Sequence, residues 1–221
     1  MVGYQGIPLV VGFNMITPTF NEVSGGEYSI QNVRLSDEAE SYGWGTESIQ
    51  IVNADGNVSA TYTWTSPDMS GLEDFAWCDD SMQAVNVTIK QGQSFLLYTE
   101  GEGTATVAGA VATSTTGNYE VNLGIGFNGI GNAVPVAKNI QSIKLSDESE
   151  SYGWGTESIQ IVNTEGNVSA TYTWTSPDMS GLETFAWCDD SMQAVDVTLQ
   201  PGEGFLLYVE GEGKVTLQTA L

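Results

Sequence analysis

The sequence predicts an all-β protein built from two tandem copies of one β-sandwich or small β-barrel-like domain. Three observations predict it: an internal repeat spanning almost the whole chain, period-two alternation within each copy, and turn residues at short intervals.

The repeat fixes the organisation. Displaced by 110 residues, segment 35–88 overlies segment 145–198 and differs at five of 54 positions: Ala39/Ser149, Ala54/Thr164, Asp55/Glu165, Asp74/Thr184 and Asn86/Asp196. The match continues more loosely through Phe95-Leu96-Leu97-Tyr98 and Phe205-Leu206-Leu207-Tyr208. Upstream, Gly12-Phe13-Asn14 answers Gly126-Phe127-Asn128 at an offset of 114, so copy one carries about four extra residues between Thr17 and Tyr28. The expected domains are 1–111 and 112–221, with the small polar stretch 112–117 as a short linker. Whatever one copy binds, the other is expected to bind.

Within each copy, Ala60, Tyr62 and Trp64 fall on one face of a strand and a row of hydroxyls on the other. Ile49 and Ile51 alternate with Ser48 and Gln50, and Val85, Val87 and Ile89 with Asn86, Thr88 and Lys90. These are the marks of strands with one wet face. Ala54-Asp55-Gly56-Asn57 reads as a hairpin turn and Gln91-Gly92 (Pro201-Gly202 in copy two) as a tight turn. Glu100-Gly101-Glu102-Gly103 reads as the turn of a further hairpin. Ile7-Pro8-Leu9-Val10-Val11 and Val215-Thr216-Leu217-Gln218 are expected to complete a sheet at each end, the chain's own or a neighbouring subunit's. No run of ten residues keeps helical spacing.

Charge narrows the partners. Twenty-eight acids face five bases, giving a net charge of −23, while only 15% of residues are charged. Such a surface repels phosphate backbones, which argues against nucleic acid, and disfavours anionic membranes. No apolar run reaches the ~18–20 residues that span a bilayer, so no membrane insertion is expected. Cations, basic surfaces and neutral sugars remain as partners. The polar surface must be mainly Ser, Thr, Asn, Gln and Gly, a composition shared by many secreted or surface-displayed β proteins. Met1-Val2-Gly3-Tyr4 lacks the basic start and apolar stretch of a signal peptide. The expectation adopted is a secreted or cell-surface protein in which Met1 replaces a removed leader, over a cytoplasmic or virion-borne one.

Histidine is absent. That removes Ser-His-Asp and Cys-His catalysis and zinc sites built on imidazole. A carboxylate pair would need a cleft that a module of this size has little room for, so no enzymatic activity is expected. Gly124-Ile125-Gly126-Phe127-Asn128-Gly129 matches the dinucleotide-binding spacing, but no helix is expected to follow it and copy one lacks the pattern. No organic cofactor is assigned.

Two sets of side chains remain as candidate sites. Tyr42, Trp44 and Trp77, with Tyr152, Trp154 and Trp187, lie among glycines or in loops. They either stack on a sugar ring or plug the ends of the core. Asp37, Glu38, Glu40, Asp79 and Asp80, with Asp147, Glu148, Glu150, Asp189 and Asp190, are either solvated loop acids or ligands of a Ca²⁺ ion. Cys78 and Cys188 occupy equivalent places, and a disulfide would need a local twofold axis passing near both. They are expected to be free, with no disulfide within a copy.

The opening Gly12-Phe13-Asn14-Met15-Ile16 and the closing Gln91-Gly92-Gln93-Ser94-Phe95, or Pro201-Gly202-Glu203-Gly204-Phe205, bracket a central hairpin. In this order of features each copy resembles uncharacterised tandem β modules of secreted and surface proteins of bacteria. Copy one lacks the Pro and second Gly of the closing turn. The resemblance implies a surface setting and carries no activity. The function expected is that of a non-enzymatic extracellular structural or interaction protein, a subunit that associates with itself. The alternatives are a tandem carbohydrate-binding protein that takes a neutral glycan, and a virion decoration or fibre protein.

Overall fold

Alternation of apolar and polar side chains in segments such as 48–51 and 59–65 gives strands with one wet face, while the apolar runs at Phe95–Thr99 and Gly204–Val209 give strands buried on both. The computed structural model describes residues 2–21, 27–41, 44–111, 118–150 and 154–218. The expected linker 112–117 lies outside them.

Copy one contains β1 (Val2–Leu9), β2 (Gly12–Ile16), β3 (Phe20–Asn21), β4 (Tyr28–Ser29), β5 (Val33–Leu35), β6 (Trp44–Val52), β7 (Val58–Thr65), β8 (Ala76–Cys78), β9 (Thr88–Ile89), β10 (Phe95–Thr99) and β11 (Gly103–Val111). Copy two follows with β12 (Asn118–Leu123), β13 (Gly126–Gly131), β14 (Lys138–Asn139), β15 (Ile143–Leu145), β16 (Trp154–Val162), β17 (Val168–Thr175), β18 (Ala186–Cys188), β19 (Thr198–Leu199), β20 (Gly204–Val209) and β21 (Gly213–Gln218). The only α-helices among the described residues are single turns, α1 (Pro67–Ser70) and α2 (Pro177–Ser180).

Each copy is two main antiparallel sheets around one core, with a two-stranded sheet, β4-β9 or β14-β19, beside them. In copy one the five-stranded sheet runs β2-β10-β6-β7-β8, and the second sheet sets β11 between β1 on one side and β3 and β5 on the other. Copy two repeats this as β13-β20-β16-β17-β18 and β12-β21-β15. Ile7, Leu9, Val33 and Val107 from one sheet meet Ile49, Trp64, Phe95 and Leu97 from the other in a single buried cluster. Trp64 is buried, as its alternation requires.

Two readings change, and one open alternative closes. Glu100 to Gly103 does not turn a hairpin: β10 and β11 belong to different sheets, and the chain crosses the sandwich there. The crossing passes so close to the 36–39 turn that a Cβ on Gly101 would overlap the Glu38 carbonyl oxygen. The alternating segment at Val85 gives only the two-residue β9, because the Val85 N–H and Val87 carbonyl bond instead to Trp77 and Ile30. The strand at each end pairs within its own copy, β1 along β11 and β12 along β21.

The two copies pack through matched contacts. Phe13 N–H donates to the Thr164 carbonyl at 2.8 Å, and Phe127 N–H donates to the Ala54 carbonyl at 2.8 Å. Thr17 N–H donates to Gly202 O at 2.8 Å, and Gly131 N–H to Gly92 O at 3.1 Å. Because each contact has its counterpart with the copies exchanged, they are related by a pseudo-twofold axis. Gly12 and Gly126, at φ +101° and +97°, let the chain approach: a Cβ on either would overlap the carbonyl oxygen across the interface. Met15, Leu96 and Leu206 form a small buried core there, with Phe13, Phe127, Val52 and Val162 packed on it. At about 1.5–3 kcal/mol for each large apolar side chain fully buried, this core outweighs any surface ion pair.

Candidate functional site

The pseudo-symmetry is imperfect, and its largest departure is a cleft. On one side of the interface, β1 and β2 of copy one face the end of β16 and the turn before β20 of copy two across a cleft of about 700 Å³. Gln5 to Pro8 form one wall, Phe13 to Ile16 the floor, and residues 161–164 and 200–204 the far wall. Only Glu203 is charged among the lining residues. Most polar side chains here are already engaged. Asn14 accepts from Val10 N–H and donates to the Val10 and Gly12 carbonyls; Asn163 accepts from Glu165 and Asn167 N–H. Gln5 donates to Pro201 O at 2.9 Å and accepts from the Thr19 hydroxyl at 2.6 Å. Apart from Glu203 the cleft is thus uncharged and more apolar than polar.

Its β1 wall is a sheet edge. β1 pairs with β11 from Val2 to Leu9, and among the described residues no strand pairs with its other edge. Pro8, which has no N–H to offer a ladder, suits an edge strand. Tyr4 on this strand is 82% exposed. Residues 1–21 contain no charged side chain. The equivalent edge strand, β12, carries Glu120 in an ion pair with Lys214 at 2.7 Å.

The predicted aromatic set divides. Trp77 and Trp187 are fully buried, and their indole N–H groups donate to Val33 O at 2.9 Å and Ile143 O at 3.0 Å. They plug the core and cannot stack on a ligand, which corrects the binding role considered for them. Trp44 opens β6 and is 71% exposed. Trp154 opens β16 at the equivalent place. Tyr42 and Tyr152 lie outside the described residues. Beneath the loop before Trp44, the buried Glu47 accepts from the backbone N–H of Ser41 at 2.8 Å and from its hydroxyl at 3.1 Å. Glu47 escaped the sequence reading because Trp44-Gly45-Thr46-Glu47 reads as surface; nothing in the local pattern marks that carboxylate as interior.

The acids predicted as calcium ligands are spread over separate tasks. Glu40 and Glu150 accept from the indole N–H of Trp64 and Trp174 at 2.7 and 2.6 Å. Asp79 accepts from Ser81 and Gln83 N–H, and Asp189 from Ser191 and Gln193 N–H, closing Asx turns. Backbone N–H bonding, then the Ser36 and Ser146 hydroxyls, hold the exposed Glu38 and Glu148 below the usual carboxylate range. Asp37, Asp80, Asp147 and Asp190 stand at loop surfaces. Among the described residues no three Asp, Glu or Cys side chains gather so as to hold a metal ion. Cys78 and Cys188 are buried and unbridged on β8 and β18. Those strands lie at the sheet edges remote from the pseudo-twofold axis.

No family model, curated protein or solved structure matches the chain.

Proposed function

We propose that the protein is a non-enzymatic structural or interaction protein that assembles with a second copy of itself through the open edge of β1. The observation that carries this is the contrast in charge. In a chain of net charge −23, the first 21 residues carry no charged side chain, and β1 presents an uncharged strand edge that no other strand among the described residues pairs. Proteins that stay monomeric usually blunt such an edge with charges, bulges or a covering element. Antiparallel pairing of β1 with β1 of another chain is self-complementary and closes as a dimer.

Light scattering across concentration tests it. The expected mass doubles from 23.6 kDa as concentration rises, and Tyr4→Glu, which sets a charge on the exposed face of the edge, returns it to the single chain. A wild-type mass that stays at one chain throughout rules the assembly out.

The exposure of Trp44 favours a second reading, a glycan-binding module in which that indole stacks on a sugar ring. Trp44→Ala with Trp154→Ala should then abolish retention on a neutral polysaccharide while leaving the mass unchanged.

A further inference from the structure

A slot of about 400 Å³, which shares Phe13 and Val162 with the β1 cleft, lies across the pseudo-twofold axis. Its lining comes in equivalent pairs, one residue from each copy: Phe13 with Phe127, Val52 with Val162, Asp55 with Glu165. The middle is largely apolar, because Val52, Val162, Leu96 and Leu206 belong to or pack on the small core between the copies, and Gln50 and Gln160 are the polar side chains beside Leu96 and Leu206.

Each end is built by both copies. The Phe127 ring lies against Gly56, the neighbour of Asp55 in the copy-one hairpin, and the Phe13 ring lies against Gly166, the neighbour of Glu165. Each end therefore offers one carboxylate and one aromatic ring, the two groups that attract an ammonium. No Lys or Arg lines the slot.

We infer that this slot binds a linear dication with an apolar middle, an α,ω-diammonium chain, with one charged end at Asp55 and Phe127 and the other at Glu165 and Phe13. Charge complementarity selects the occupant. A simple metal ion gains nothing from the apolar middle, an anion is repelled at both ends, and a monocation fills one end and leaves the other empty. The net charge of −23 raises the local concentration of any cation, so diffuse attraction is the effect the test must separate.

Isothermal titration of the full chain at physiological salt, with a length series of α,ω-diamines, provides that separation. One chain length is expected to bind best, and to bind roughly ten-fold or more tightly than the monoamine of the same length, because its second end binds intramolecularly. Asp55→Asn and Glu165→Gln alter exposed hairpin side chains, so both variants should fold, and each should reduce the diamine to the affinity of the monoamine. The site is overturned if no diamine binds, if affinity follows total charge with no optimum length, or if both variants bind as the wild type does. The wild-type titration repeated on Tyr4→Glu should be unchanged, since the slot does not depend on assembly through β1.

Discussion

Where copy one has Gln5, copy two has Tyr119, and the two side chains serve the same junction differently. Gln5 donates to Pro201 in the opposite copy and accepts from Thr19. Tyr119 lies with its ring against Gly92 of the opposite copy, while its hydroxyl donates to Gly131 O at 3.1 Å and accepts from Ala133 N–H at 3.2 Å. Similar exchanges recur along the interface. Met15 of copy one stands where copy two has Gly129, and Ser94 where copy two has Gly204. A Cβ on Gly204 would press on Met15, and one on Gly129 would press on the Ser94 backbone. The differences are complementary: Met15 and Ser94 of copy one face Gly204 and Gly129 of copy two, and Tyr119 of copy two faces Gly92 of copy one. A duplicated domain that only needed to fold would have no reason to diverge in matched pairs at the contact. The pairing indicates that the copies have specialised as halves of one body.

The comparison separates symmetric contacts from specialised ones, and the largest effects should come from the symmetric ones. Gly12→Ala and Gly126→Ala each place a Cβ at positive φ against a carbonyl oxygen and disrupt a cross-copy hydrogen bond. Each should cost about 3 kcal/mol in urea unfolding, combining backbone strain with the lost bond. The two costs should agree; a large inequality would break the claim of pseudo-symmetry. Gly129→Met, which copies Met15 into copy two, should cost about 2 kcal/mol by overpacking against Ser94. Adding Ser94→Gly should recover part of that loss, and a double-mutant cycle without coupling would show the pairing to be incidental.

The third effect depends on pH. Burial pushes the Tyr119 phenol well above its ordinary value, with the Ala133 N–H acting weakly in the opposite sense. Its folded value therefore exceeds its unfolded value of about 10. Between the two the folded state holds the proton more often, so stability falls as pH rises past about 10 and is fully present below it. Tyr119→Phe should cost about 1 kcal/mol at neutral pH through two unsatisfied backbone groups, and the gap from wild type should narrow above about pH 10. Gln5→Leu, at the equivalent place with no titrating group, should show a cost that does not vary over that range. Urea titrations at both pH values distinguish them.

Much of this architecture is legible in the sequence, because repeat and alternation are properties that neighbouring residues carry themselves. Trp64 could be assigned to the core from its place in Ala60-Thr61-Tyr62-Thr63-Trp64. Trp77 could not, since its short strand alternates too briefly to distinguish a buried ring from a displayed one. The crossing at Glu100 to Gly103 looked like a hairpin because a glycine-rich turn has the same composition whether the chain returns beside its partner or changes sheets. The junction between copies was illegible for a different reason. Phe13, Val52 and Leu96 lie on the outer face of a sheet that already has a core on its inner face, and only an object packed on that face explains them. Gly129 and Gly204 carry meaning only beside Ser94 and Met15, which are distant in sequence.

The smallest effect on stability is expected where the two copies differ at their open edges. Lys214 and Glu120 are 51% and 53% exposed at the side chain, so solvent screening leaves the pair little effect on stability. Replacing both, Glu120→Gln with Lys214→Gln, should leave the urea midpoint nearly unchanged. It should nonetheless change assembly, because it makes β12 as uncharged as β1 and removes the one device that blunts that edge. While pairing uses β1 alone, it ends at two copies. With two open edges on opposite halves of a pseudo-twofold body, each chain can pair at both, and the series need not close. The double variant should therefore grow beyond the dimer in light scattering as concentration rises, and Tyr4→Glu added to it should limit growth to pairs through β12. If the double variant keeps the wild-type mass at all concentrations, the ion pair is not what guards β12, and the two edges differ for some reason other than charge.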